Sequence, residues 1–208
     1  MDSEAAWRDA ALAGDRTAFA KLVDHYQRPV YNFTYRMLGN RGDAEDATQE
    51  VFLRAYRALG TYDRKRPFST WLLSIAAHYC IDRLRRRRNR EVSLDGLPTW
   101  RWVPAEAVDP QRAAERSDEG DRVRRLLDDL PEDYRLVVVL RYWHDLGYAE
   151  IASVIGESES AVKSRLHRAR RRLGASLEES ERAASRDSEA GSATVGGSRQ
   201  CSAIMPAS

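Results

Sequence analysis

Cysteine is nearly absent: Cys80 and Cys201 are the only two, they stand far apart, and neither belongs to a metal-ligand spacing. That excludes a disulfide framework and a zinc cluster, and it makes a reducing compartment the default. Glycine and proline are sparse too, at 12 and 7 in 208 residues. With Ala, Leu, Arg and Glu dominating, the chain is expected to be helical. No apolar run approaches the roughly 20 residues needed to cross a bilayer. The first residues carry Asp2 and Glu4 and no apolar core, so they do not read as a signal peptide. A soluble, cytoplasmic protein that is not membrane-embedded is expected. Catalytic patterns are missing as well. His25, His78, His144 and His167 fall in four different predicted helices, with no paired serine, cysteine or acid around any of them. There is no phosphate loop and no Gly-x-Gly-x-x-Gly, so no catalytic residue, metal, cofactor or small-molecule substrate is assigned.

Charge is what the chain has in quantity. Charged residues make up 32% of it, and the net charge of +2 conceals their segregation into basic and acidic stretches. Arginine dominates Arg83, Arg85 to Arg88 and Arg90, and again Arg170 to Arg172. Helical periodicity supplies the frame. Asp15 caps a helix through Leu38 with Phe19, Leu22, Val23, Tyr26, Val30, Phe33 and Met37 on one stripe, Asp43 caps a third through Leu59, and Ser69 or Thr70 a fourth to about Arg88. These predict one α-helical domain to about residue 92. Composition then shifts: Pro98, Pro104 and Pro110, with Trp100 and Trp102 between them, mark an extended linker. Ser117 caps the next helix, Pro131 opens another, and beyond Leu177 the Glu-, Ser- and Gly-rich tail reads as disordered after about Arg186.

Three motifs carry function. In YAEIASVIGESESAVKSRLHRARRRL, Ile151, Ala152 and Ile155 form one stripe, Gly156 stops the helix, and Val162, Leu166, Ala169 and Leu173 form the seam of a second. This is a helix-turn-helix whose second helix carries six basic residues between Lys163 and Arg172 and no acid, suited to a phosphate-lined groove. In DAEDATQEVFLRAY, burying Ala44, Ala47, Val51 and Ala55 leaves Asp46, Gln49, Glu50 and Leu53 on another side, with Phe52 at its margin. Such an apolar anchor with a charged rim suits a protein partner. In YDRKRPFSTW, aromatic and basic residues interleave as single-stranded nucleic acid requires, with Tyr62 the foremost base-stacking ring. Phe68 and Trp71, taken singly, suit a core equally well.

Taken in order, DAEDATQEVFLRAY, then RPFSTWLLSIAAHYCIDRLRRRR, then LPEDYRLVVVLRYWHDLGYAEIASVIGESESAVKSRLHRARRRL closely resemble the extracytoplasmic-function (ECF) sigma factors of bacterial RNA polymerase, over Ala10 to Leu173. The resemblance implies an all-α protein of two small helical domains joined by a flexible linker. Residues 1–92 would form a sigma region 2-like domain, 93–116 the linker, 117–177 a region 4-like helix-turn-helix domain, and 178–208 a tail outside the likeness. It implies core RNA polymerase and promoter DNA as partners and an anti-sigma factor as a regulator. Asp46, Gln49, Glu50, Phe52 and Leu53 match the polymerase-docking motif. Tyr62, Arg64, Lys65, Arg66, Phe68, Trp71, His78 and Arg83 fall in the part that captures the melted minus-ten strand, and His78 stands where the family often has asparagine. Lys163, Ser164, Arg165, His167 and Arg168 match positions that face the minus-thirty-five duplex, and Arg171 and Arg172 resemble phosphate contacts. Two rivals come from other classes. A stand-alone helix-turn-helix regulator would need neither the docking-type helix nor the single-strand-type loop, and no heptad seam for a dimer is present. A nucleic-acid-processing enzyme would need an acid cluster for metal that the chain lacks.

Overall fold

The structure, a computed structural model, describes residues 3–94 and 118–194. The predicted linker beyond Leu94, with its prolines and Trp100 and Trp102, lies outside the described residues. Every regular element described is helical: α1 Ser3–Leu12, α2 Arg16–Leu38, α3 Arg41–Ala58, a 3₁₀ turn Leu59–Thr61, α4 Phe68–Leu94, α5 Asp118–Asp128, α6 Glu132–Tyr142, α7 Tyr148–Ile155 and α8 Glu159–Thr194. No helix among the described residues is long and apolar enough to cross a membrane.

Local chemistry accounts for most boundaries. The Asp15 carboxylate accepts from the Thr17 and Ala18 amides and starts α2, which continues unbroken through Pro29. The turn after α2 is shorter than the sequence suggests. Gly39 ends α2 at φ 79°, a left-handed conformation open to glycine, and Asn40 rather than Asp43 caps α3 by accepting from the Asp43 amide. Helix α4 starts at Phe68, ahead of the predicted Ser69 or Thr70 cap, and runs past Arg88 to Leu94. Helix α8 runs to Thr194, so the stretch expected to be disordered after about Arg186 is helical up to that residue. Its Ala, Glu and Arg content favours helix, and an i,i+4 pair links Glu178 to Arg182. Residues 195–208 lie outside the described residues.

Two helical halves result. In the first, α1 to α4 bury Leu22, Phe33, Met37, Val51, Phe68, Leu72 and Ala76. Cys80 is a buried free cysteine, and burial pushes its thiol up to about 12. In the second, α6 to α8 bury Val137, Val139, Leu140, Ile151, Val162, Leu166 and Ala169. The halves share one apolar core along a seam where α6 meets α2 and α7 meets α4. Polar groups close that seam. The buried Arg135 guanidinium donates to the Met37 carbonyl at 2.7 Å and to the Asp128 carbonyl at 3.1 Å, and it pairs with the Asp128 carboxylate at 3.2 Å. The Arg36 guanidinium lies 4.9 Å from the Trp143 ring centroid, and His144 meets the edge of Phe33 at 5.5 Å.

His144 generates a pH dependence. Burial, reinforced by the nearby Arg36 cation, lowers its pKa from the ordinary 6.5 to about 4. Its Nε2 is buried without a hydrogen-bond partner. The folded form therefore prefers neutral imidazole, while the unfolded chain takes up a proton at about 6.5. Stability contributed by this group is complete above pH 6.5 and is lost as pH falls toward 4, by roughly 3 kcal/mol in all. Urea denaturation of wild type and His144→Leu at pH 7, 5.5 and 4 checks this: the gap between them should shift in favour of the variant at acid pH, and a constant gap contradicts it.

Candidate nucleic-acid interface

Helix α3 presents the first surface. Ala44, Ala47, Val51 and Ala55 are completely buried against the first half, which turns Asp46, Gln49 and Leu53 outward and leaves Glu50 half-buried. Leu53 is 52% exposed, a large apolar side chain in water. Glu50 pairs with Arg54 at 2.8 Å. Phe52, expected at the margin of this strip, is instead 9% exposed and belongs to the core, because its position follows the buried Val51 around the helix. Tyr56 was not among the expected residues. It is 46% exposed, one turn from Leu53, and its ring also meets Phe19 at 5.0 Å. The i,i+3 spacing from Leu53 was the available signal.

The loop after the 3₁₀ turn forms the second surface, and here the structure corrects the reading of the aromatics. Tyr62 and Phe68 are buried, and Trp71 is half-buried beside them. The three rings form one cluster with centroids 5.3–5.4 Å apart. The loop folds back so that the Tyr62 hydroxyl donates to the Arg66 carbonyl. That closure buries the ring that the sequence suggests as a stacking platform. Arg64, Lys65 and Arg66 remain exposed. Arg64 lies 3.5 Å from Asp9, and Arg66 donates to the Ser153 carbonyl across the seam at 3.3 Å.

Along α4, His78 is exposed. Its Nδ1 lies 2.6 Å from the Ser74 carbonyl, which can only accept, so Nδ1 carries the proton and Nε2 faces outward. Arg83 does not face outward. It is held by the Tyr79 hydroxyl and Asp43, tying α4 to α3. Burial opposes the Asp43 charge, but hydrogen bonds from Asn40 and Arg83 hold its carboxyl below the usual range. For Arg83, burial works against the charge, and Tyr79 and Asp43 outweigh it, raising its pKa.

The third surface is α8. Val162, Leu166 and Ala169 face inward, so Lys163, Ser164, His167, Arg168 and Arg171 all lie exposed on the outer side. Glu150 accepts from the Gly147 amide to start α7, and Gly156, at φ 73°, sets the turn between the two helices. Arg165 is half-buried and paired with Glu157 at 2.8 Å. Lys163 sits over Tyr148. Arg170 is turned away from this face, donating to the Tyr142 hydroxyl at 2.8 Å, and Arg172 lies over Tyr134. Among the described residues, no group of three or more His, Cys, Asp or Glu could hold a metal.

Substituting Tyr62 separates its two readings. As a core ring, Tyr62→Ala should cost about 3–4 kcal/mol of folding stability, and Tyr62→Phe about 1 kcal/mol through the lost hydroxyl bond. Thermal or urea unfolding measures both. Unchanged stability in Tyr62→Ala would return the ring to the surface.

Two stretches of the chain match known families. Residues 22–90 match Sigma-70 region 2, and residues 120–173 match Sigma-70, region 4. The ECF RNA polymerase sigma factor SigW of Bacillus subtilis (strain 168) is 38% identical over 166 residues, covering 77% of this chain and 89% of that protein. The ECF RNA polymerase sigma-E factor of Escherichia coli (strain K12) is 32% identical over 163 residues, 76% and 85% of the two chains. Among solved structures, CnrH in complex with the cytosolic domain of CnrY is similar with a TM-score of 0.64 and 27% identity, covering 86% of this chain and 99% of that one.

Proposed function

This chain belongs to the ECF sigma factors of the sigma-70 family, and from that premise we propose how its surfaces direct RNA polymerase to promoters. Helix α3 docks core polymerase through Leu53 and Tyr56, with Asp46, Gln49 and Glu50 as the polar rim that takes basic groups of the partner. The single observation that carries this reading is a half-exposed leucine and tyrosine one turn apart, flanked by acids, on a helix whose other face is fully buried. Apolar anchors ringed by charge are where binding energy concentrates.

Arg64, Lys65, Arg66 and the outward Nε2 of His78 engage the melted minus-ten strand. Tyr62, Phe68 and Trp71 shape that loop from beneath, and Arg83 braces α4. Lys163, Ser164, Arg165, His167 and Arg168 read the minus-thirty-five duplex in the major groove, where a bidentate arginine–guanine pair discriminates by about 1–3 kcal/mol. Arg171 and Arg172 neutralise phosphate, Arg172 after leaving Tyr134. The chain itself performs no chemistry in this reading; bond formation belongs to the polymerase, and the protein works in the cytoplasm where that enzyme is. CnrH is seen with the cytosolic domain of CnrY, and an anti-sigma partner is proposed for this chain.

Binding to core polymerase without DNA tests the reading against a stand-alone helix-turn-helix regulator. Labelled wild-type protein should bind core enzyme, and Gln49→Ala/Leu53→Ala should bind at least tenfold more weakly while its affinity for duplex DNA is kept. Duplex binding with no affinity for core polymerase would sink the proposal and favour the regulator.

A further inference from the structure

Helix α4 carries an outward line that the promoter reading uses at one residue. Ser74, His78 and Asp82 follow one another at i, i+4 and i+8, so their side chains leave the helix on one side. His78 and Asp82 are exposed, and Ser74 is half-buried. Two of these side chains have a proton to give, and the helix itself takes both. The Ser74 hydroxyl donates to the Trp71 carbonyl at 2.7 Å. His78 Nδ1 donates to the Ser74 carbonyl at 2.6 Å, which leaves a lone pair on the outward Nε2 of the neutral ring. An ionised carboxylate such as Asp82 brings lone pairs and no proton. Toward solvent, the line presents acceptors at successive turns and no donor.

Unpaired bases differ in what they offer such a line. Adenine carries an amine at N6, cytosine at N4 and guanine at N2, whereas thymine shows carbonyl oxygens at O4 and O2 and has no exocyclic amine. The lone proton on the thymine ring lies between those two oxygens, whose lone pairs would meet the acceptors of α4. An amine suits them instead. His78 and Asp82 line the same cleft, so both acceptors face one space. Two acceptors sharing one amine, each at about 2.9 Å, stand about 5 Å apart. Side chains one helical turn apart start from Cβ atoms about 5–6 Å apart, which matches that span. An amide side chain at either position would not make this choice, because it offers both a donor and an acceptor.

Resting on the promoter reading above, we infer that His78 and Asp82 form an acceptor edge that takes one base of the melted strand through its exocyclic amine and turns thymine away. His78 Nε2 accepts one amine proton, and the Asp82 carboxylate accepts the other. Ser74 is the positioning residue. Its carbonyl decides which ring nitrogen of His78 holds the proton, and its hydroxyl, committed to Trp71, supplies no donor for a thymine oxygen. Base choice at this point follows from protons spent inside the helix.

Forked promoter templates, already unpaired over minus ten, separate base reading from melting. The full chain with core polymerase is assayed at pH 8, which keeps imidazole neutral, with each base in turn at each unpaired position. One position should lose at least tenfold in affinity with thymine. It should lose as much when its preferred base is replaced by the counterpart without the amine: purine for adenine, hypoxanthine for guanine or 2-pyrimidinone for cytosine. His78→Ala should bring all four bases at that position within threefold of one another, with the melting temperature of the protein unchanged. His78→Asn should bring thymine within threefold of the preferred base, and Asp82→Asn should improve thymine at least threefold. Thymine favoured at the position that His78→Ala flattens, or a choice that survives loss of the amine, overturns the inference. If His78→Ala alters no position while templates are still bound, the acceptor edge is wrong and the promoter reading stands. If the protein adds nothing to template binding by core polymerase, the promoter reading falls and takes the inference with it.

Discussion

One buried guanidinium organises the junction on which the second half depends. Arg135 is 8% exposed, and burial lowers its pKa, so placing it there is costly. It persists because three carbonyls need it. Met37 near the end of α2, Asp128 at the end of α5 and Leu130 in the turn beyond it present carbonyl oxygens at or past helix C-termini, and Arg135 meets them at 2.7, 3.1 and 3.4 Å. A cation at the negative ends of two helix dipoles is also favourable. Fixing the α5–α6 turn fixes α6, and α6 is the floor on which α8 lies. The close approach extends to the backbone: a Cβ on Gly39 would stand 3.2 Å from the Asp128 carboxylate.

From that junction outward, the seam changes character in a graded way. Apolar packing and Arg135 sit deepest, the Arg36–Trp143 and Phe33–His144 ring contacts come next, and the ion pairs of α4 with α6 lie at the exposed edge. Strength therefore falls toward solvent, and the outermost contacts are those a charged partner can displace. The same edge holds His78 and Arg165, which line one cleft there.

Much of this was legible in the residues, for identifiable reasons. The helix-turn-helix follows from local rules alone: Val162, Leu166 and Ala169 repeat at helical spacing, Gly156 has to adopt positive φ, and all three apolar residues are buried where expected. The α3 strip was visible because three alanines and Val51 define its buried side so clearly. Tyr62 was misread because its fate depends on loop closure onto the Arg66 carbonyl, which periodicity does not report. Phe52 is buried in the same way, since a residue at the border of a helical stripe can fall on either side. The seam was invisible in sequence: Arg135 and Met37 are separated by 98 positions, and nothing local marks Arg135 as the buried arginine.

If this chain gives core polymerase its promoter choice through two separate DNA readers, that choice is visible in the transcripts themselves. Run-off transcription with purified core enzyme on genomic fragments, followed by sequencing of RNA 5′ ends, tests it most directly. Discrete starts that require this protein should appear, each preceded by a shared two-part motif near minus ten and minus thirty-five. Lys163→Ala/Arg168→Ala should relax the upstream part and leave the downstream part intact. Starts that appear equally without the protein, or that share no upstream motif, would contradict a promoter reader of this kind.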